Sequence, residues 1–307
     1  MPILVGIDGT GDDWLGSNDP SRNKHYDVEF ANSFVKRICA GHSANTMYFR
    51  GPGFLPANNG LLEAVWKGRD FILSKRRAGV NEPILLTGYS RGAAGVIVIA
   101  QMLGFPQNKI DVEAMLLFDC VDRDLRIDAD IIPANVGYVL HVKRSVASHS
   151  RLSFGHSGTR PFPGSKTDYQ QKEFNCTHGA MGGTPWLPVA VSSGHSLIRA
   201  KLTDYISEGP GAFAMPEQPS YVTYEQDARG AEQVQSFIKP FMHEHGFPIP
   251  PDVSYSSLLL RAADDRSLAS WIIRNKPFAE GSNESNEFRE MNDFIRTLPK
   301  PGGSPKF

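Results

Sequence analysis

Ser90 sits at the centre of Gly88-Tyr89-Ser90-Arg91-Gly92, a Gly-x-Ser-x-Gly pentapeptide whose flanks give the spacing chemical meaning. The apolar run Ile84-Leu85-Leu86-Thr87 leads into it, and Ala93-Ala94-Gly95-Val96-Ile97-Val98 opens directly after it. A serine on a tight strand-to-helix turn is held in a strained backbone conformation that projects its hydroxyl above the sheet edge, ready to attack a carbonyl. A Cβ two positions to either side would meet the neighbouring strand or helix, which accounts for the two glycines. The N-terminus of the following helix points its N–H groups at a developing anion. A phosphate-binding turn at the same terminus would need more glycine or a lysine after the turn, and Arg91-Gly92-Ala93 supplies neither.

A serine nucleophile needs a base and an acid, which in this arrangement follow it in the order Ser, Asp/Glu, His, each at the end of a later strand. Asp119 ends the run Ala114-Met115-Leu116-Leu117-Phe118 and is the expected acid, with Asp122 in reserve. Asp124, Asp128 and Asp130 read as solvated loop acids. Seven histidines lie beyond Asp119. His141 falls inside an apolar strand and reads as a packed residue. His149 and His156 lie in a long polar loop and are expected to be mobile unless a ligand orders them. His195 reads as a surface residue, and His243 and His245 as a solvated His-x-His pair lacking a third ligand. His178 follows the run Glu173-Phe174-Asn175-Cys176-Thr177, and Gly179, Gly182 and Gly183 let its loop fold over the sheet edge. His178 is the expected base.

The first apolar run, Ile3–Ile7, ends in Asp8-Gly9-Thr10-Gly11. Backbone N–H groups of Gly9 or Thr10, together with that of Arg91, are the expected oxyanion donors. An aspartyl-nucleophile phosphatase motif would need a carboxylate two residues before Asp8, where Gly6 stands. A metal site built from Asp8, Asp12 and Asp13 stays open on residue types alone, although acidic turns are more often solvated caps. Triad chemistry requires no cofactor and no metal.

These residues must be positioned by a sheet. Strands are expected at Ile3–Ile7, Thr46–Phe49, Pro83–Thr87, Ala114–Phe118, Val136–Val142 and Lys172–Thr177. Helical patterns separate them: Phe30 to Cys39, Leu61 to Leu73, and Arg91–Leu103. Short apolar runs alternating with helices of 12 to 18 residues predict an α/β fold of the α/β-hydrolase-like kind, a mainly parallel sheet covered on both faces, with a helical C-terminal part. Ligands of such sheets bind at the carboxyl ends of the strands. Residues 143–171 and 209–225 read as long loops of the kind often used as lids. Helical patterns carry on through Leu268, Trp271 and Ile272 and then Phe288 to Leu298, before a tail at 301–307 expected to be disordered. One domain over residues 1–300 is expected.

The 32 basic and 33 acidic residues among 307 leave a net charge of −1, which argues against nucleic acid as a partner. No apolar run reaches the ~18 residues of a membrane span. The opening MPILVGIDGTGDD has neither a basic leader nor a cleavage site, so no secretory signal and a cytoplasmic location are expected. Cys39, Cys120 and Cys176 lie far apart, which fits a reducing compartment and excludes a disulfide scaffold.

Taken in order, the motifs resemble those of the phospholipase effectors of bacterial type VI secretion, first lipase family, and their wider α/β-hydrolase-like group. Asp8-Gly9-Thr10 is similar to that family's opening turn, and Tyr48-Phe49-Arg50-Gly51-Pro52-Gly53 to its Tyr-x-x-Gly-x-Gly segment. Gly88 to Ala93, reading GYSRGA, matches its nucleophile motif, Asp119-Cys120-Val121 its Asp-Thr-Val, and His178 to Gly183 its last motif. Ala180 stands where the family has an acidic residue, and Arg151 represents the arginine of a segment poorly kept in Ser148–Phe154. The resemblance implies a triad of Ser90, Asp119 and His178, a fatty-acyl ester of a phospholipid as substrate, transient contact with a membrane surface, delivery by the secretion machine, and an immunity protein that plugs the cleft. A soluble ester, or a hydrolase fold retained only for binding, are the competing readings. The binding module predicts that the three side chains do not converge.

Overall fold

The computed structural model describes residues 1–10, 30–40, 44–52, 60–124, 126–186, 191–192, 197–198, 205–208 and 218–264. The strands are β1 (Ile3–Ile7), β2 (Thr46–Phe49), β3 (Ile84–Tyr89), β4 (Val112–Phe118), β5 (Ile131–Ile132), β6 (Val136–Arg144), β7 (Arg160–Pro161), β8 (Asp168–Phe174), β9 (Val191–Ser192), β10 (Leu197–Ile198), β11 (Tyr205–Glu208) and β12 (Gln218–Thr223). The helices are α1 (Phe34–Cys39), α2 (Leu61–Arg77), α3 (Arg91–Leu103), α4 (His178–Met181), α5 (Tyr224–His245) and α6 (Tyr255–Asp264).

Six strands form one sheet in the order β2-β1-β3-β4-β6-β8, every neighbouring pair parallel. This is the expected α/β-hydrolase-like sheet. Its inner strands are mainly apolar because both faces are covered. Leu4, Leu85, Leu116, Phe118, Leu140 and Val142 belong to one core, which α1, α5 and α6 complete through Phe34, Ile38, Val234, Ile238 and Tyr255. Their alternates Ile3, Val5, Ile7, Leu86, Met115, Leu117 and Val139 face a second core closed by α2 and α3. The chain moves from β1 outward to β2, then crosses back over β1 to reach β3. The strand order therefore reverses between β1 and β3, the kind of switch point at which such sheets bind ligands. Asp8 to Thr10 follow the end of β1 there, and Ser90 follows the end of β3.

Several boundaries differ from the sequence expectation. The last strand of the sheet runs over 168–174 rather than 172–177, and all but Phe174 of it is exposed or half-buried. It pairs on one side only, so no apolar run marks it. The stretch 143–171 is not one loop: it holds the end of β6, two 3₁₀ turns at Val146–Ser148 and Leu152–Phe154, β7 paired with β5, and the start of β8. Residues 218–223 of the other expected loop form β12 against β11, and Tyr224 opens α5, capped by reciprocal Thr223 and Gln226 hydrogen bonds. His243 and His245 lie in the last turn of α5. The His245 ring lies tilted against those of Tyr138 and Phe241, whereas His243 is exposed. His195, Leu268 and the positions after it, the tail, Asp12, Asp13 and Gly53 lie outside the described residues. No described helix is long and apolar enough to cross a membrane.

The two glycines of the pentapeptide serve close backbone approach. A Cβ on Gly88 would stand 2.6 Å from the Ala93 Cα, and one on Gly92 would stand 2.2 Å from the Asp8 carbonyl oxygen and 2.3 Å from that of Ile7. The start of α3 is thereby pressed onto the end of β1. A Cβ on Gly95, one turn further, would first meet the flexible tip of Leu61 at 2.9 Å. Gly92→Ala is expected to destabilise the fold by about 1–3 kcal/mol, despite alanine's better helix propensity, and Gly95→Ala by less. Urea unfolding of the two variants checks the order, and equal midpoints would contradict it.

Candidate active site

Ser90 occupies the junction between β3 and α3 with φ 56° and ψ −128°, a strained conformation for a residue with a side chain. Its N–H donates to the Phe118 carbonyl at 2.9 Å and its carbonyl accepts from Val121 N–H at 3.2 Å. The serine is thus tied to β4, the strand that delivers Asp119. Asp119 is itself at φ 45°, its N–H donating to the Val142 carbonyl at 2.7 Å. His178 opens α4, whose N-cap Thr177 accepts from Ala180 N–H.

The three side chains form a chain of contacts. Ser90 Oγ lies 2.8 Å from His178 Nε2, and His178 Nδ1 lies 2.6 Å from Asp119 Oδ2. All three residues are buried, Asp119 completely. The convergence is the opposite of what a retained binding module predicts. Asp122, the reserve acid, is elsewhere: its carboxylate accepts from Ala129 N–H and Asp124 N–H and stabilises the turn after β4.

Asp119 has more partners than the histidine. Arg144 Nη1 donates to its Oδ2 at 2.6 Å and Arg144 N–H to its Oδ1 at 3.2 Å. His156 Nε2 lies 3.1 Å from Oδ1. Burial by itself would raise this carboxyl, but Arg144 first, then His156 and His178, overcome it and hold Asp119 well below the usual carboxylate range. His178 moves down from 6.5: burial disfavours its charged form more than Asp119 restores it, and Arg144 and Arg151 act in the same direction as burial. His156 is therefore part of the site rather than a loose loop residue. His149 is ordered too, stacked on Tyr221 with ring centroids 3.9 Å apart. Arg151 bears on the site through its backbone and through Phe154. Its carbonyl accepts from Arg144, and its guanidinium lies 5.4 Å from the centre of the Phe154 ring, which stands edge-on to His178.

The backbone of His178 is braced from three sides. Its N–H donates to Ser150 Oγ at 2.8 Å, and its carbonyl accepts from Tyr89 O–H at 2.9 Å. The Tyr89 ring fits where Gly9 and Gly182 lack side chains, since a Cβ on either would come within 2.5 Å of it. Behind the cap, buried Asp227 of α5 accepts from Thr177 N–H, Thr177 Oγ1 and Trp186 N–H. Ala180 is buried and carries no charge; besides Asp119, the carboxylate that meets this turn is Asp227, from α5. His141 is packed as expected: it accepts from Cys120 N–H at 3.1 Å, and burial pushes its pKa down to about 3.

The first turn departs from expectation in one donor. Gly9 N–H points at its neighbour, donating to Asp8 Oδ1 at 2.9 Å. Asp8 also accepts from Ser33 Oγ at 2.6 Å and Tyr48 O–H at 3.0 Å, and a Cβ on Gly51 would overlap the Gly9 carbonyl. The Tyr48 to Gly51 segment therefore braces the turn. Arg91 Nε donates to Thr10 Oγ1 at 2.7 Å, and burial lowers the Arg91 pKa to about 10. Both Asp8 oxygens are occupied by protein donors, and the described residues contain no cluster of His, Cys, Asp or Glu arranged to hold a metal.

No family model matches the chain, and no curated protein does. Among solved structures, an uncharacterised protein from Pseudomonas aeruginosa aligns with 96% of this chain at 12% identity and a TM-score of 0.38. The alignment covers 53% of that protein, so this chain spans about half its length. RedJ aligns at 10% identity and a TM-score of 0.33 over 60% of this chain and 89% of its own. An arylesterase aligns at 11% identity and a TM-score of 0.30, over 60% and 70%. Likeness at this level assigns no activity. The parallel α/β architecture stands on the order and direction of the strands.

Burial raises the Asp8 pKa to about 6, against the opposing pull of Ser33, Gly9, Tyr48 and Lys36. A carboxyl whose folded pKa exceeds its unfolded one adds stability at low pH and loses it as pH rises through the folded value. Asp8→Asn removes that dependence. Its stability relative to wild type should improve between pH 4 and pH 6, with a limiting slope of about 1.4 kcal/mol per pH unit. Urea unfolding across this range tests the point, and parallel pH profiles for the two proteins would refute it.

Proposed function

We propose that this chain is a serine hydrolase that cleaves carboxylic esters through an acyl-enzyme. One observation carries the reading: the continuous contact from Asp119 Oδ2 through the His178 ring to Ser90 Oγ, with the serine on a strained strand-to-helix turn at the sheet's switch point. Ser90 Oγ attacks the acyl carbonyl carbon while His178 Nε2 takes its proton. Asp119 fixes the ring with Nδ1 protonated and stabilises the imidazolium that forms. The oxyanion is received by the backbone N–H groups of Thr10 and Arg91, the latter at the first position of α3. His178 then returns the proton to the departing alcohol, and a water activated by the same imidazole hydrolyses the acyl-serine.

The resemblance carries the reading further, to a fatty-acyl ester of a phospholipid, to delivery by type VI secretion, and to an immunity protein over the cleft. Hydrolysis of phosphatidylglycerol–phosphatidylethanolamine vesicles, compared with a short p-nitrophenyl ester, separates lipid from soluble substrate. Ser90→Ala is expected to lower kcat by about a million-fold on whichever ester is cleaved. Undiminished turnover in that variant would remove Ser90 from the chemistry.

The base must be neutral to act, and His178 sits below 6.5. The acid limb of kcat/KM is accordingly expected to have its midpoint below pH 6.5, with activity constant from there towards neutrality. A midpoint above 6.5 would mean that burial does not control this imidazole.

A further inference from the structure

We propose that Arg144 is a positioning residue for His178, acting through Asp119 and through the turn at residues 145–155, and that its charge limits how readily the imidazole takes a proton. The inference rests on the serine-hydrolase reading for its catalytic consequence, and on geometry for the coupling itself.

Arg144 ends β6, next to the end of β4, and its side chain is 3% exposed. Its guanidinium is divided between two tasks. Nη1 holds Asp119 Oδ2, the oxygen that His178 Nδ1 also contacts. Nε donates to the Ser150 carbonyl at 2.8 Å, and Nη2 to the carbonyls of Arg151 at 2.9 Å and Gly155 at 3.1 Å. Those three acceptors lie on a turn containing three residues at positive φ: His149, Arg151 and Gly155. A turn so strained needs outside support, and a planar fork of N–H groups gives it. The same turn supplies Ser150 Oγ to the His178 N–H and sets Phe154 edge-on to the His178 ring. The contacts form a closed circuit from Arg144 to Ser150, to His178, to Asp119 and back to Arg144.

The circuit has an electrostatic consequence. A buried Asp119 alone would give its whole charge to the imidazolium. With Arg144 on the same oxygen, part of that charge is already matched by a fixed cation. The other groups around His178 are Arg151 on the turn, His156 on the far carboxylate oxygen, Tyr89 beside the ring from β3, Arg123 across Phe154, and Asp227 behind Thr177 from α5. Of these, Arg144 is the cation bonded directly to the triad carboxylate.

The test compares wild type with Arg144→Met and Arg144→Lys, each checked for folding by near-ultraviolet circular dichroism. The His178 imidazole is titrated by NMR, which needs no turnover, and kcat/KM on the cleaved ester is measured across pH. Arg144→Met should raise both the NMR midpoint and the acid limb by about one pH unit. Arg144→Lys keeps the charge but cannot span the three carbonyls. Its midpoint should stay at the wild-type value while kcat falls about 10- to 100-fold. A folded Arg144→Met protein with an unmoved midpoint would overturn the proposal. If that variant does not fold, wild-type kcat in Arg144→Lys would overturn it. Wild type inactive on both esters would instead defeat the hydrolase reading, while the NMR midpoints still report the coupling.

Discussion

Asp119 is a fully buried carboxylate, and the ordering of the site follows from the need to satisfy it. An isolated charge in such a place costs far more than a domain can spare, so it either takes a proton or finds donors. Here the Arg144 side chain and backbone donate to it, His178 Nδ1 lies 2.6 Å from one oxygen, and His156 Nε2 stands 3.1 Å from the other. These groups come from separate points along the chain, and meeting at one carboxylate fixes where those points lie. The end of β6, the turn after it and the start of α4 are consequently held relative to Ser90.

A second constraint is steric. The carboxyl end of β1 and the first turn of α3 approach so closely that Gly92 has no room for a side chain, and Gly88 none against Ala93. That contact puts the Asp8 turn beside the nucleophile. Asp8 then draws Gly9 N–H, Ser33 and Tyr48 onto itself, giving the turn one shape. The nucleophile, the acid and the expected oxyanion donors thus depend on two local facts: a charge that must be matched and a backbone crossing that admits only glycine.

Much of this is legible in the sequence where both faces of an element are buried. β1, β3 and β4 stand out as apolar runs, and α3 matches its expected bounds at Arg91 and Leu103, because each packs against protein on all sides. Asp119 stands out because it follows such a run, and His178 because it follows the end of a strand and precedes a glycine-rich turn. The same logic, applied two residues beyond the apolar part of β6, leads towards Arg144, a charged residue delivered by a buried strand to the same sheet edge. β8 is legible only at its inner end, since its polar residues face solvent. Ser150, His156 and Asp227 leave no pattern to find: they reach the site through strained turns and a helix some fifty residues from Thr177 in the chain. The Gly9 N–H donates to Asp8, a contact between neighbours that the sequence does not show.

The central claim is that Ser90 is made nucleophilic by His178 within this arrangement. Incubation with a fluorophosphonate probe, followed by peptide mapping of the labelled protein, tests it whatever ester the protein cleaves. A single phosphonyl adduct on Ser90, lost in His178→Ala, is the predicted result. A folded wild-type protein that takes up no probe, or that carries the adduct on another residue, would contradict the account.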